Sequence, residues 1–483
     1  MGERDIGVAL SGGGHRSTVF SLGALLAMAD TGLNNRTMSI ASVSGGSVAN
    51  GTTMVGPDFG ISSASDVEAH FAQAVASIAH RGVLQGGAPE TRGYLRILVA
   101  AAIALGGGLL ATLVGGFGHF VVVLLVGLVL LVGGGVAAWR LFGQRSVKTE
   151  RAIDVEALGN AKTTLADQQR RNLSVHHVLC TTELQTGTAF FFSNRLVYGD
   201  QFGGSTGPCA LPLSTAVQAS ACVPGAFRAR DIDLSVLGLQ SVNVQVPVKK
   251  QPGTTKTVIV TQIVVDDGGV YDNMADEWDY GFANRAQRRW TEVTSVQSRR
   301  APYLLVINGS GGWDRMKPIV SRGPKYELDG LLRAKDVQYD VSTAHRRRAL
   351  ADDFIASTRN GDSIDDVDGT FIQITADPYR LPTKFGPKPG HIPDEKANRA
   401  TEALAFLDNY GLRSDGWDEL VHRTSGVPTT LKALGSDVCV DLLEHAYILT
   451  TVNTYVVLGL GKLPTASRAD LRRRFAAMCT KRA

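Results

Sequence analysis

The stretch Ile6-Gly7-Val8-Ala9-Leu10-Ser11-Gly12-Gly13-Gly14-His15-Arg16-Ser17-Thr18 opens the chain with a short apolar run and a glycine loop. Beyond it, Val19, Phe20, Leu22, Leu25, Leu26 and Met28 recur at helical spacing. Strand, glycine loop, helix is therefore the expected order, and it starts an α/β fold. Such a loop gathers backbone N–H groups beside a helix N-terminus, where negative charge is favoured. Phosphate binding, an oxyanion hole and a plain tight turn all fit that geometry. A P-loop would need Lys beside Ser/Thr, and Arg16 stands there instead; no G-x-G-x-x-G follows for a dinucleotide.

A second strand-to-helix corner lies about thirty residues on. Met38-Ser39-Ile40-Ala41 reads as a strand and runs into Ser42-Val43-Ser44-Gly45-Gly46-Ser47. A serine between small residues at such a corner has the form of a nucleophile elbow, with Ser42 where the usual first glycine stands. The N–H of Gly45 would then sit beside an attacked carbonyl. A simple turn serine is the competing reading. Farther on, the hydrophobic run from Val258 through Val265 reads as a strand region leading to Asp266-Asp267-Gly268-Gly269-Val270-Tyr271-Asp272-Asn273. Asp267 would be held at a strand end by a tight loop, although Asp-Gly favours turns by itself.

Taken together and in order, these segments resemble the patatin-like phospholipases, a family of lipid acyl hydrolases. Ser11-Gly12-Gly13-Gly14-His15-Arg16 is similar to the family's oxyanion loop, Ser42-Val43-Ser44-Gly45-Gly46 to its elbow, and Asp267-Gly268-Gly269 to its acid motif. Thr182-Glu183-Leu184-Gln185-Thr186-Gly187 and Ala219-Ser220-Ala221-Cys222-Val223-Pro224-Gly225-Ala226-Phe227 resemble its intervening segments. Val427-Pro428-Thr429-Thr430-Leu431 and residues 442–447 resemble the C-terminal segment of bacterial members. Ser42 and Ser17 replace residues that are often glycine in the family, and both are small. The resemblance implies a three-layer α/β hydrolase with a mostly parallel central sheet and a Ser–Asp dyad. Ser44 would be the nucleophile and Asp267 its base. The N–H groups of Gly12, Gly13, Gly14 and Gly45 would form the oxyanion hole, with Arg16, Gly268 and Gly269 in support. No cofactor or metal is implied, and His15 is not needed as a triad member.

Residues 97–139 contain no Asp, Glu, Lys or Arg, although 19% of the 483 residues are charged. Outside this window the chain is about 21% charged, nearer the ordinary value of about 25%. The window holds two spans of about 20 residues, 97–114 and 120–139, with a turn at Gly115-Gly116-Phe117-Gly118-His119. Arg92 and Arg96 before it, and Arg140, Arg145 and Lys148 after it, place both flanks on the cytoplasmic side. Gly107 and Ala111 make a small-x-x-x-small pair for close helix packing. A buried hairpin in a soluble core is the competing reading.

The expected organisation is thus a first catalytic segment (1–92), a transmembrane hairpin (93–143), a second catalytic segment (144–320) and a mainly helical C-terminal extension (321–483). The expected substrate is an acyl ester of a membrane lipid, of phospholipase A or lysophospholipase type. The expected location is the cell membrane, with the catalytic part and both termini cytoplasmic. A soluble-substrate esterase or thioesterase and a non-catalytic membrane protein are the rivals. The net charge of +4 lacks the excess of a nucleic-acid binder. Five scattered cysteines read as reduced thiols, and the start lacks the pattern of a signal peptide. His176 and His177 have no ligand-spaced partners. The basic clusters at 345–348 and 472–474 read as solvated helix faces or headgroup contacts. Nothing in the pattern fixes the oligomeric state.

Overall fold

The computed structural model describes residues 4–83, 89–118, 121–247, 254–282, 285, 291–297, 299–311, 324–360, 367–387 and 394–480. A central sheet runs in the order β12-β11-β1-β2-β3-β4-β5-β6, with β10 branching from β3 and β7 pairing with β10. Five of these strands are parallel: β12 (Asp368–Gln373), β11 (Tyr303–Asn308), β1 (Ile6–Leu10), β2 (Thr37–Ser42) and β3 (His176–Glu183). Their residues are buried almost throughout, as a parallel sheet covered on both faces requires. The remaining strands β4 (Thr188–Ser193), β5 (Val197–Gly199), β6 (Gly203–Ser205), β7 (Arg230–Asp233) and β10 (Gln262–Asp267) pair antiparallel.

Helices cover both faces. On one side α1 (Gly14–Asp30), α3 (Ala64–His80) and the C-terminal helix Ser436–Asn453 enclose the largest apolar cluster, around Phe20, Phe71 and Trp417. Helix α2 (Gly45–Val55) and the helix Leu213–Ser220 pack under β3 and β10. The other face is closed by Trp278, Phe191 and Leu350. This is the expected α/β architecture with a helical C-terminal region. One strand reading changes: the apolar run before Asp267 breaks at Thr261. Its first part, β9 (Thr255–Val260), forms a separate two-stranded ribbon with β8 (Val242–Pro247).

The charge-free window folds as α4 (Pro89–Gly118) and α5 (Val121–Gly143), both longer than the expected spans. Helix α4 continues through the glycines assigned to the turn, and His119 lies outside the described residues. Two helices are thus long and apolar enough to cross a membrane, Arg96–Val114 and Val121–Gly143. Only 11% of each such segment is buried inside the protein, which removes the core-hairpin reading. The packing register is one residue off the expectation. A side chain on Gly107 would meet nothing within 4 Å, whereas Gly108 lies on the backbone of Leu130 and Leu131. Gly127 sits 2.5 Å, measured from an added Cβ, from the amide of Thr112, and Gly134 2.8 Å from that of Leu105.

The foot of this hairpin is fastened to the globular part. Arg145 donates to the Ala226 carbonyl at 2.9 Å, the Arg228 amide donates to Ser146 Oγ at 2.9 Å, and Arg230 pairs with Glu150 at 2.7 Å. These contacts tie α6 (Arg145–Glu156), which continues the hairpin, to the segment entering β7.

Gly127→Ile should force the two apolar helices apart and destabilise the hairpin by about 1–3 kcal/mol. Gly133→Ile, at a position with nothing within 4 Å, should be neutral. Thermal unfolding in detergent separates the two, and equal midpoints would refute this helix contact.

Candidate active site

Both candidate catalytic residues are placed by one edge of β3. Strand β4 takes the other edge along its whole length, from Val178 to Glu183. On the free edge β2 pairs parallel as far as Ser42 opposite Leu179, and β10 pairs antiparallel as far as Asp267 opposite Thr181. The two strands therefore point their C-terminal ends at each other across Cys180. The loop after the helix Leu213–Ser220 bridges the gap. The Ser44 amide donates to the Ser220 carbonyl at 3.0 Å, the Asp267 amide to the Cys222 carbonyl at 3.3 Å, and Ser220 Oγ to the Cys180 carbonyl at 2.5 Å.

Ser44 is the N-cap of α2 and sits at φ 51°, ψ −121°. A non-glycine residue there holds of order 1–3 kcal/mol of backbone strain, as a nucleophile elbow does. Gly45 follows because its Cα lies on the oxyanion-loop backbone. A Cβ at this position would overlap the Gly14 carbonyl oxygen and approach the Gly14 amide to 2.8 Å. Thr18 Oγ1 locks the two loops, donating to the Gly45 carbonyl at 2.8 Å.

The glycine loop takes left-handed turns at Gly13 (φ 136°) and Gly14 (φ 60°). Among the described residues no protein acceptor takes the N–H of Gly13, Gly14 or Gly45. These are three donors at the start of two helices, α1 and α2. Gly12 differs from the expectation: its N–H donates to the Asn273 carbonyl at 3.0 Å and so is not available to a ligand.

Arg16 is buried behind the loop. It donates to the carbonyls of Gly309 (2.9 Å) and Val427 and to Thr429 Oγ1 (3.3 Å). Burial lowers its pKa to about 10, still charged at neutral pH. Its role is to brace the loop against the C-terminal segment. His15 Nδ1 donates to the Lys432 carbonyl at 2.8 Å, and burial lowers the imidazole to about 4, so the ring is neutral.

On the acid side, Asp267 is 1% exposed, and its Oδ1 accepts the Gly269 amide at 2.8 Å. Gly268 is needed because a Cβ there would strike the Cys180 carbonyl. Asp266 turns its Oδ1 to the Asp267 amide at 3.0 Å. Thr182 Oγ1 donates to the Asp267 carbonyl at 2.9 Å and accepts the Tyr271 amide at 3.1 Å.

Sequence patterns left Asn273 without a role, and the structure gives it one. Its carbonyl holds Gly12, and its Nδ2 donates to Ser310 Oγ at 3.1 Å. Ser310 Oγ in turn donates to the Gly12 carbonyl at 3.0 Å. Asn273 Oδ1 occupies the space where a Gly12 side chain would begin, and lies 2.8 Å from the same position on Gly269. Asn273 thus clamps the oxyanion loop to the acid loop. The signal was its place six residues after Asp267, which carries no chemistry until the fold is known.

Other flagged residues are structural. His176 Nε2 contacts Ser193 Oγ at 2.9 Å, and His177 Nδ1 contacts Asn50 Oδ1 at 2.7 Å, both deep in the sheet. The basic clusters are only partly surface. Arg346 is paired with Asp272, Asp276 and Glu277 at 3.3, 2.9 and 2.8 Å. Arg472 pairs with Asp441 at 2.9 Å, and Arg474 with Asp30 and Glu68 at 2.5 and 2.7 Å.

No known protein family matches the chain by sequence, and no curated protein does. Among solved structures the chain is similar to human GIVD cytosolic phospholipase A2, at 13% identity and a TM-score of 0.44 over 98% of this chain and 60% of that one. The same enzyme with methyl gamma-linolenyl fluorophosphonate inhibitor and terbium chloride gives 11% identity and 0.37, over 98% and 59%. VipD from Legionella pneumophila gives 14% and 0.24, over 94% and 85%. The chain spans about 60% of the length of the phospholipase chains it matches.

Gly45→Ala should abolish activity while leaving the protein folded by circular dichroism, because only the two-loop contact is blocked. Asn273→Ala should lower kcat about 10-fold or more through a loosened oxyanion loop, with little change in KM. An unchanged kcat would remove the clamp. The depressed pKa of His15 also has a sign. Its contribution to stability is complete above the unfolded value near 6.5 and is lost as pH falls toward about 4. The stability lead of wild type over His15→Gln should therefore shrink across that window, by up to about 1.4 kcal/mol per pH unit. Denaturant titration at several pH values measures it.

Proposed function

We propose that the chain is a serine acyl hydrolase that cleaves acyl esters of membrane lipids, with Ser44 as nucleophile and Asp267 as its base. One observation carries the reading: a strained serine at a strand-to-helix corner, three unclaimed amides around it, and a carboxylate delivered to it from the opposite direction along the same strand edge. The chemistry follows. Ser44 Oγ attacks the acyl carbonyl as its proton passes to Asp267. The N–H groups of Gly13, Gly14 and Gly45 receive the negative oxygen. The proton then goes to the departing alkoxide, leaving an acyl-enzyme. Asp267 next takes a proton from water, which attacks the ester, and returns that proton to Ser44 Oγ as the fatty acid leaves. The neutral His15, held by the Lys432 carbonyl, has no part in this sequence.

The lipid class is supported by the two apolar helices. Their foot is fixed to residues 226–230, in the same loop whose Cys222 carbonyl holds the Asp267 amide. A bilayer around α4 and α5 therefore lies close to the acid side of the site. The basic flanks on both sides of the hairpin favour a cytoplasmic catalytic part. The organisation that goes with this reading is a catalytic domain interrupted by the hairpin at 93–143 and extended by 321–483.

A fluorophosphonate probe should label wild type and Asn273→Ala but not Ser44→Ala. Asp267→Asn should label at least about 100-fold more slowly, in line with loss of a general base. Turnover of vesicle phospholipid should fall in the same order. Undiminished labelling of Ser44→Ala would overturn the mechanism. Hydrolysis of short soluble esters without turnover of lipid would favour the soluble-substrate esterase instead.

A further inference from the structure

Beneath the elbow runs a chain of buried hydroxyls. Val43 gives its amide to the Leu10 carbonyl on β1 at 3.0 Å, so the next amide, that of Ser44, faces β3. A strand that continued in parallel register would offer this N–H to the Cys180 carbonyl. Ser220 stands between the two. Its carbonyl takes the Ser44 N–H at 3.0 Å, and the same amide reaches Ser220 Oγ at 3.3 Å. The Ser220 hydroxyl donates to the Cys180 carbonyl at 2.5 Å, in place of the missing ladder bond. Ser220 Oγ also lies 2.7 Å from Ser47 Oγ, and Ser47 Oγ donates to Ser42 Oγ at 3.0 Å. Ser42 Oγ closes the chain on the Val178 carbonyl at 3.0 Å. Three hydroxyls, from β2, α2 and the helix Leu213–Ser220, thus join two carbonyls of β3. Behind Ser42, Asn50 Nδ2 donates to Ser42 Oγ at 2.9 Å and to the Ile40 and Val178 carbonyls at 2.9 and 3.1 Å. Asn50 Oδ1 accepts from His177 Nδ1 at 2.7 Å. Burial lowers that imidazole to about 3, so the ring is neutral and carries its one proton there. Ser42, Ser47, Asn50, His177 and Ser220 are all 0% exposed.

We propose, on the reading of Ser44 as nucleophile, that Ser42, Ser47 and Ser220 are positioning residues whose hydroxyl chain fixes the backbone from which Ser44 Oγ projects. A backbone at φ 51°, ψ −121° persists only where its surroundings over-determine it. Ser220 supplies that constraint directly, through the Ser44 amide, and Ser47 and Ser42 hold the Ser220 hydroxyl in place. Both ends of the chain rest on β3, the strand that also receives β10 and Asp267, so a shift of the chain moves Ser44 relative to its base. Every member is buried, so losing one hydroxyl leaves its neighbours unpaired away from solvent, and the elbow must move to satisfy them. Ser42 gains a purpose from this arrangement. It stands where the elbow's usual first glycine would be, receives Asn50 and closes the chain on Val178. A glycine at this position breaks the chain instead of restoring the elbow.

The test uses the full-length chain in detergent micelles, with a fluorophosphonate and a short soluble ester. Ser42→Gly and Ser47→Ala should each slow the maximal labelling rate per reactive site about tenfold, while the half-saturating probe concentration stays within about twofold of wild type. For the ester, kcat should fall in step and KM should not change. A merely structural role would lower the unfolding midpoint and the number of reactive sites, but not the rate at each site. Because the two residues belong to one chain, the double variant should be within about twofold of the slower single one. Hydrogen exchange in the segment 43–48 should quicken about tenfold in both variants, while that of 19–27 in α1 stays as in wild type. Where Ser42→Gly does not fold, Ser220→Ala replaces it in the same comparison. Rates per site equal to wild type, single effects that multiply in the double variant, or unchanged exchange at 43–48 would each overturn the proposal. A wild type that never reacts with the fluorophosphonate would defeat the hydrolase reading instead, and the exchange at 43–48 would still decide whether the chain holds the elbow.

Discussion

A single strand edge organises the site. Strand β3 offers one side to β4 and divides the other between β2 and β10, which approach from opposite directions and stop on either side of Cys180. Everything at the site depends on that division. It brings the ends of β2 and β10 to either side of Cys180, and it leaves a gap that Ser220 fills. The backbone, through paired hydrogen bonds, positions the two groups before any side chain contributes.

The second layer of control is close backbone contact. Gly45 meets Gly14, Gly268 meets Cys180, and Asn273 seals the space beside Gly12. These contacts leave no room for a side chain, so the loops cannot slide past each other. Arg16 and His15 then fasten the oxyanion loop to residues 427–432 far along the chain. The C-terminal region is thereby part of the site's frame.

Much of this was legible in the sequence, for definite reasons. The strand–glycine–helix corners at 6–18 and 38–47 carry local signals, since apolar runs and small residues at tight turns need no tertiary information. The charge-free window was equally plain. What escaped was whatever depends on register. The Gly107–Ala111 pair is a true small-residue motif, yet the helices meet through Gly108, because a one-residue step rotates a helix face by about 100°. Gly12 looked equivalent to its neighbours until Asn273 claimed its amide. Arg346 and Arg474 looked like solvent-facing charge because their acidic partners lie about 70 and about 400 residues away. The break at Thr261 could not be read from hydropathy, which is similar on both sides of it.

The shared edge of β3 also imposes an order in time. Ser44 emerges from the ribosome first, the two apolar helices next, and Asp267 about 130 residues after the second of them. At roughly 5–20 residues per second that interval is of order ten seconds. Strand β10 cannot take its half of the edge before then, so the elbow waits with no acid opposite it. With Ser44 and Asp267 read as a dyad, the site stays incomplete until both apolar helices have left the ribosome.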